Sequence, residues 1–134
     1  MAEVEEPMVA LLLADAAVAA IVSTRIAPIK RDQSWGTAAA ITYRRIARAW
    51  AVETLSGPPS LAHPTVEVVC WAPSLPTVRT LARAVQDALD DWRNTAATPP
   101  IYDTIPGDHW IEDADGDGDD RVFYVEQQFD IWTS

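Results

Sequence analysis

The chain has 134 residues, of which 49% are hydrophobic and 22% are charged, and its formal net charge is −10. This composition is typical of a globular protein and excludes a disordered chain. The acidic excess argues against general affinity for nucleic acid, because that affinity comes mainly from cations that neutralise phosphates.

Features of the N-terminal segment and the cysteine content suggest where the protein resides. The opening MAEVEEP lacks the basic segment that begins a secretory signal. The apolar run from Val9 to Val22 is too short to span a bilayer. The single cysteine, Cys70, cannot form an internal disulfide, so nothing indicates an oxidising compartment. We therefore expect one domain over residues 1–134 that is made in the cytoplasm and has no membrane partner.

Helical spacing of apolar residues predicts a bent pair of helices at the N-terminus. Pro7 suits the first turn of the first helix, and Asp15 can cap the second. The segment from Arg25 to Lys30 is predicted as a short strand at a sheet edge, because Pro28 cannot donate a ladder hydrogen bond.

The middle of the chain is predicted to alternate between strands and a loop. Ala39 to Arg48 has the pattern of a strand whose alternation slips at Ile46, which indicates a bulge. The segment TLSGPPSLAHP after Trp50 holds one glycine and three prolines and is predicted to be a loop. Thr65 to Trp71 then alternates as a second strand.

The clearest helix of the sequence begins after Ser74, a good N-cap residue, with Pro76 in the first turn. Its end is predicted at Asn94, ahead of two prolines. One continuous apolar stripe runs along it, made of Val78, Leu81, Ala82, Val85, Leu89 and Trp92.

The C-terminal part is predicted to be a β-hairpin. Its strands are His109 to Glu112 and Arg121 to Trp132, and its tip is ADGDGDD. Together the elements predict an α+β fold in which a mostly antiparallel sheet is covered by helices on one face.

Cys70 is the first residue to consider for catalysis or zinc binding. It shares a strand face with Val66 and Val68, and free cysteine is among the most buried residue types. Neither His63 nor His109 stands in a local motif with it, and the three together lack a fourth zinc ligand. We therefore expect Cys70 to pack in the core, and we expect no enzyme activity.

The acidic run near the C-terminus is the second candidate, because the spacing of Asp113, Asp115, Asp117 and Gly118 matches the opening of an EF-hand calcium loop. The closing position requires a glutamate and holds Tyr124, and strands replace the flanking helices. The set Asp113, Asp115, Asp117 and Asp119 is therefore only a weak metal candidate, and the sequence favours a solvated turn in which Gly116 and Gly118 adopt positive φ.

Uneven charge and exposed aromatic residues suggest contact surfaces. Complementary patches on one small protein are typical of contact with copies of itself or with a charged partner, although two solvated surfaces are the alternative. Indoles beside loops can anchor a partner. The interface candidates are Arg44, Arg45, Arg48, Trp50, Trp110, Asp115, Asp117, Asp119 and Asp120.

The chain resembles the tail terminator, or tail completion, family of long-tailed bacteriophages in the order and spacing of several segments. These are LLLADAAVAAIVSTRIAP, AAITYRRI, LSGPPSLAHPTVEVVCWAPS with the helix TVRTLARAVQDAL, and RVFYVEQQFDIW. The resemblance implies a small α+β subunit that assembles as a ring, typically a hexamer, on the tail tube. Such a ring stops polymerisation of the tube and presents a surface to the head-side connector or stopper protein.

The resemblance also implies a structural virion protein of the tail and neck that uses no cofactor. DNA would pass through the ring without sequence-specific binding. From the net charge of −10 we add the hypothesis that an acidic lumen keeps the duplex from adhering. Two alternatives stay open: another neck protein, such as a head-tail adaptor or stopper, and a cysteine- or metal-dependent enzyme.

Overall fold

A computed structural model describes the backbone of residues 3–47, 50–54 and 57–134 and the side chains of residues 3–46 and 61–134. The helices in this part of the chain are α1 (Glu5–Ala14), α2 (Ala16–Val22) and α3 (Leu75–Leu89). The strands are β1 (Ile26–Pro28), β2 (Ala40–Ala47), β3 (Trp50–Thr54), β4 (Gly57–Ala62), β5 (Thr65–Ala72), β6 (Ile101–Asp115) and β7 (Val122–Thr133).

The N-terminal helices form the predicted bent pair. Asp15 ends α1 and caps α2, because its carboxylate accepts a hydrogen bond of 3.1 Å from the backbone N–H of Val18. One side of the pair is fully buried in the core, with Val4, Met8, Leu12, Val18 and Val22. The short strand that follows, β1, pairs in parallel with β2. It lies at the edge of the sheet, which confirms the position predicted from Pro28.

The prediction of a loop after Trp50 is wrong, because the segment forms strands β3 and β4. Ala47 opposes Thr65 and Trp50 opposes Ala62, so β3 and β4 continue the antiparallel pairing of β2 and β5. The pairing shifts register along the way, and Pro58 and Pro59 fall within a shifted stretch where their missing N–H groups interrupt no regular ladder. The predicted bulge near Ile46 is confirmed, between Arg45 and Ala47.

Helix α3 begins as predicted but ends earlier. The Ser74 side chain accepts a hydrogen bond from the N–H of Thr77, and Pro76 lies in the first turn. The helix stops at Leu89, not at Asn94, because the chain turns through Asp91 at a φ of 55°. Trp92 is buried, but it reaches the core from the segment after the helix.

The C-terminal hairpin is confirmed, and its first strand is much longer than predicted. β6 begins at Ile101 and pairs with β7 almost throughout, with an irregular stretch between Pro106 and Trp110. The inward face of β7 carries the buried residues Val125, Phe129 and Ile131. Gln127 lies between them on the same face.

All the described strands join one sheet, in which β1 and β2 make the parallel pair and the other pairs are antiparallel. The three helices pack on the same side, α1 and α2 against β2 and α3 against β5, β6 and β7. Between the layers lies one apolar cluster that includes Met8, Ile41, Leu81 and Phe129. The predicted α+β class with helices on one face is confirmed. None of the described helices has the length and apolar character needed to cross a membrane.

Candidate functional site

The face of the sheet that points away from the helices carries aromatic, basic and acidic side chains together. Strand register places alternate residues of β2, β5 and β7 on it, because paired residues project to the same side. We call it the open face; its central residues are Thr42, Arg44, Glu67, Val69, Trp71, Tyr124, Glu126, Gln128 and Asp130. A shallow depression of about 330 Å³ lies over its middle.

Aromatic contacts order one end of the open face. The Trp71 and Tyr124 rings lie 5.0 Å apart, and the Arg31 guanidinium sits 4.8 Å from the centre of the Trp71 ring. The Trp71 indole N–H donates a 3.0 Å hydrogen bond to the hydroxyl of Thr42. Burial raises the pKa of Tyr124, and nearby carboxylates, Asp113 first, add to that rise. Stacking and hydrogen bonding therefore fix the position of the Trp71 ring at this end of the open face.

Charged groups occupy the centre of the open face. Arg44 Nε donates to Oε1 of Glu67 at 3.0 Å, and only 9% of Glu67 is exposed. His109 Nε2 lies 3.5 Å from Oε2 of Glu126. Glu67, His109 and Glu126 each place one potential ligand atom within 4.8 Å of the others, the one such group of three or more in the described part of the chain.

The described arginines among the predicted interface candidates form ion pairs within the subunit. Arg44 pairs with Glu67 although 58% of its side chain is exposed, and Arg45 pairs with Glu5 of α1 on the opposite face. Arg48 lies outside the described residues. Of the two interface candidates Arg44 and Arg45, only Arg44 has a largely accessible guanidinium group.

Of the two aromatic interface candidates, Trp50 and Trp110, only Trp110 has a described side chain. Trp110 is 36% exposed beside the irregular part of β6 and keeps its place as an interface candidate. The side chain of Trp50 lies outside the described residues. Trp92 is buried and belongs to the core.

The acidic hairpin tip forms a solvated turn, as the sequence favours. Asp115, Asp117, Asp119 and Asp120 are all exposed. Gly116 and Gly118 adopt φ values of 84° and 58°, and a Cβ at Gly116 would lie 2.7 Å from the Asp120 carbonyl oxygen. In the described chain the weak metal candidates Asp113, Asp115, Asp117 and Asp119 do not bring three ligand atoms together. The tip is an exposed, negatively charged turn.

Comparison with protein families decides the class of this chain. Residues 6–134 match the family model described as tail completion protein gp17. The chain belongs to the tail completion protein gp17 family. It is therefore a structural protein of the phage tail and neck in the virion, which confirms the predicted family and location.

Other comparisons agree with this fold or add nothing. No curated protein matches the sequence. A chain in the solved structure described as "Virion of native gene transfer agent (GTA) particle" matches with a TM-score of 0.59 at 18% identity. The match covers 95% of this chain and 92% of that one. At this identity the match shows a shared fold.

In this tail completion family member, Cys70 is a core residue. It is fully buried, and burial strongly raises the pKa of its thiol. Its Sγ faces Oε1 of Gln127 at 3.9 Å, and Gln127 Nε2 donates to the Ala82 carbonyl oxygen at 3.0 Å. A buried neutral thiol is a poor nucleophile, so the structure offers no support for cysteine catalysis here.

Sequence reasoning missed the group formed by Glu67, His109 and Glu126. Each residue comes from a different strand, so no local spacing motif exists. The one available signal was alternation, which places Glu67 and Glu126 at polar positions opposite apolar neighbours. The position of His109 depends on the irregular stretch of β6.

Proposed function

We propose that this tail completion protein caps the head-proximal end of the phage tail tube, stops tube polymerisation and forms the surface that joins tail to head. The match of residues 6–134 to the tail completion family carries the proposal. In this role the whole chain acts as one structural unit without catalytic activity.

Assembly of the subunit as a hexameric ring is the second part of the proposal. A heterologous ring joins two different surfaces of neighbouring subunits. The exposed acidic tip and the accessible Arg44 supply opposite charges for such a contact, and Trp110 supplies an exposed ring. Arg45 is a weaker candidate than the sequence indicates, because Glu5 already engages it.

Passage of DNA through the ring needs weak interaction with phosphates. The net charge of −10 supports a lumen that repels the duplex. Partners in this arrangement are copies of the chain, the tail tube protein and a head-side connector or stopper protein.

The decisive experiment polymerises the purified tail tube protein with and without this chain and measures tube lengths by electron microscopy. Light scattering of the chain alone, with and without magnesium or calcium, reports whether a discrete hexamer of the 14.7 kDa subunit forms. Shortened tubes carrying one terminal ring are expected. Unchanged tube length together with binding to a connector protein would overturn capping and favour an adaptor or stopper.

A further inference from the structure

Three neighbouring strands place an imidazole and two carboxylates at one point of the open face. Glu67 on β5 and Glu126 on β7 are diagonal neighbours, since Glu67 opposes Gln128 and Val69 opposes Glu126. His109 reaches them from β6, on the other side of β7, where the strand departs from regular pairing. One ligand atom from each of the three lies within 4.8 Å of the others.

This donor set is matched to one class of cation. One nitrogen and two carboxylate oxygens suit Zn²⁺ and related first-row ions, whereas Mg²⁺ and Ca²⁺ prefer oxygen ligands throughout. An oxygen of Glu67 and an oxygen of Glu126 lie within 4.8 Å of each other, so one divalent ion can be attracted to both carboxylates. We propose that Glu67, His109 and Glu126 bind a divalent transition-metal ion such as Zn²⁺.

The surroundings fit a site of three protein ligands. Arg44 bonds Oε1 of Glu67 and so orients the carboxylate, while Oε2 lies outside that bond. Glu67 is nearly buried, and His109 and Glu126 are about 28–29% exposed at their side chains, so an ion can enter from solvent. Three protein ligands leave a fourth tetrahedral position for water or an outside donor.

The two histidines of the chain provide a matched pair of variants. His109 belongs to the proposed site, whereas His63 stacks on Trp132 with ring centres 4.7 Å apart. Isothermal titration with ZnCl₂ should show one site per chain. His109→Gln or Glu126→Gln should weaken binding by about 10-fold or more, because lost ligands cost at least as much as lost supporting contacts. His63→Gln should bind as the unaltered protein does.

Imidazole NMR signals give a second readout that needs no assembly assay. Stoichiometric Zn²⁺ should shift the ring resonances of His109 and leave those of His63 in place. Circular dichroism of each variant checks that the fold is intact, and Glu126→Gln keeps the side-chain shape if His109→Gln disturbs β6.

Several outcomes would overturn the site. These are no saturable Zn²⁺ binding by the intact chain, equal binding by His109→Gln and Glu126→Gln, or loss of binding in the double variant Asp117→Asn with Asp119→Asn. The last result would place the ion at the hairpin tip instead. This test does not use tube-length measurements, so failure of the metal site and failure of the capping role can be told apart.

Discussion

Glu5 and Arg45 join the first helix to the sheet through two parallel hydrogen bonds. Arg45 Nε and Nη2 lie 2.8 Å and 2.9 Å from the two carboxylate oxygens of Glu5. Both side chains are largely shielded, at 16% exposed for Glu5 and 20% for Arg45. Fork geometry and shielding make this pair stronger than an ordinary surface ion pair.

Replacement of Glu5 should therefore weaken the fold measurably. Glu5→Gln is expected to lower the free energy of unfolding by about 1.5–3 kcal/mol, the range for hydrogen bonds to charged groups. Urea denaturation measures the change. Glu6→Gln is the matched control, because it removes a negative charge from the same first helical turn but is exposed. Equal effects of the two variants would show that the helix dipole, not the pair, is responsible.

The buried thiol of Cys70 should make the folded protein less stable at alkaline pH. Its pKa is raised by burial, so the unfolded chain loses this proton at a lower pH than the folded chain does. The contribution of Cys70 to the free energy of unfolding is fully present below the ordinary thiol pKa of 9.0. It declines as the pH rises above that value. The decline should reach about 1.4 kcal/mol for each pH unit.

Comparison of the intact protein with Cys70→Ala isolates that share of the pH dependence, because the variant retains every other titrating group. A thiol reagent should also modify Cys70 only at the rate of unfolding. Rapid modification of the folded protein would contradict this account and return Cys70 to consideration as a nucleophile.

An ion pair between α3 and β6 predicts a response at acid pH. The hydrogen bond from Arg79 is the main reason that the pKa of Glu112 is lowered, with Nε 2.6 Å from Oε2. Stabilisation by this pair is present above the ordinary glutamate pKa and is lost as the pH falls through the lowered value. Carboxyl NMR titration should show the pKa of Glu112 rising in Arg79→Gln. An unchanged titration would show that the contact does not persist in solution.

Sequence predicted correctly those elements whose defining features lie close together along the chain. The start of α3 was correct because Ser74, Pro76 and the apolar stripe are local features. Its end was wrong because Asp91 adopts positive φ without the usual glycine signal. The strand β4 was missed because it contains Pro58 and Pro59, and its pairing with β3 and β7 is a tertiary feature that local sequence does not encode.

The grouping of Glu67, His109 and Glu126 could not be predicted from any local sequence pattern. Glu67 and Glu126 meet only because β5 and β7 are neighbours in one particular register. His109 joins them because β6 departs from regular pairing between Pro106 and Trp110. The family resemblance predicted the class of protein without predicting this arrangement.

Ile29 combines backbone strain with exposure, which predicts a gain in stability on substitution. It adopts a φ of 70°, which a β-branched residue rarely does, and 75% of it is exposed. Ile29→Asn should raise the free energy of unfolding by about 1 kcal/mol, since asparagine tolerates this conformation. Ile105→Asn is the control, because Ile105 is also exposed but lies in a regular strand. An equal gain in both variants would point to surface polarity as the cause.

Substitution of an exposed tryptophan and of a buried one should affect subunit association and subunit stability differently. Trp110 is 36% exposed and Trp92 only 9%. Because exposed indoles commonly anchor interfaces, Trp110→Ala should weaken ring or tube association by more than about 1 kcal/mol while unfolding stays cooperative. Trp92→Ala should instead lower the stability of the subunit by about 3–5 kcal/mol. Sedimentation velocity with thermal denaturation measures both effects, and intact association of Trp110→Ala would remove Trp110 from the proposed interface.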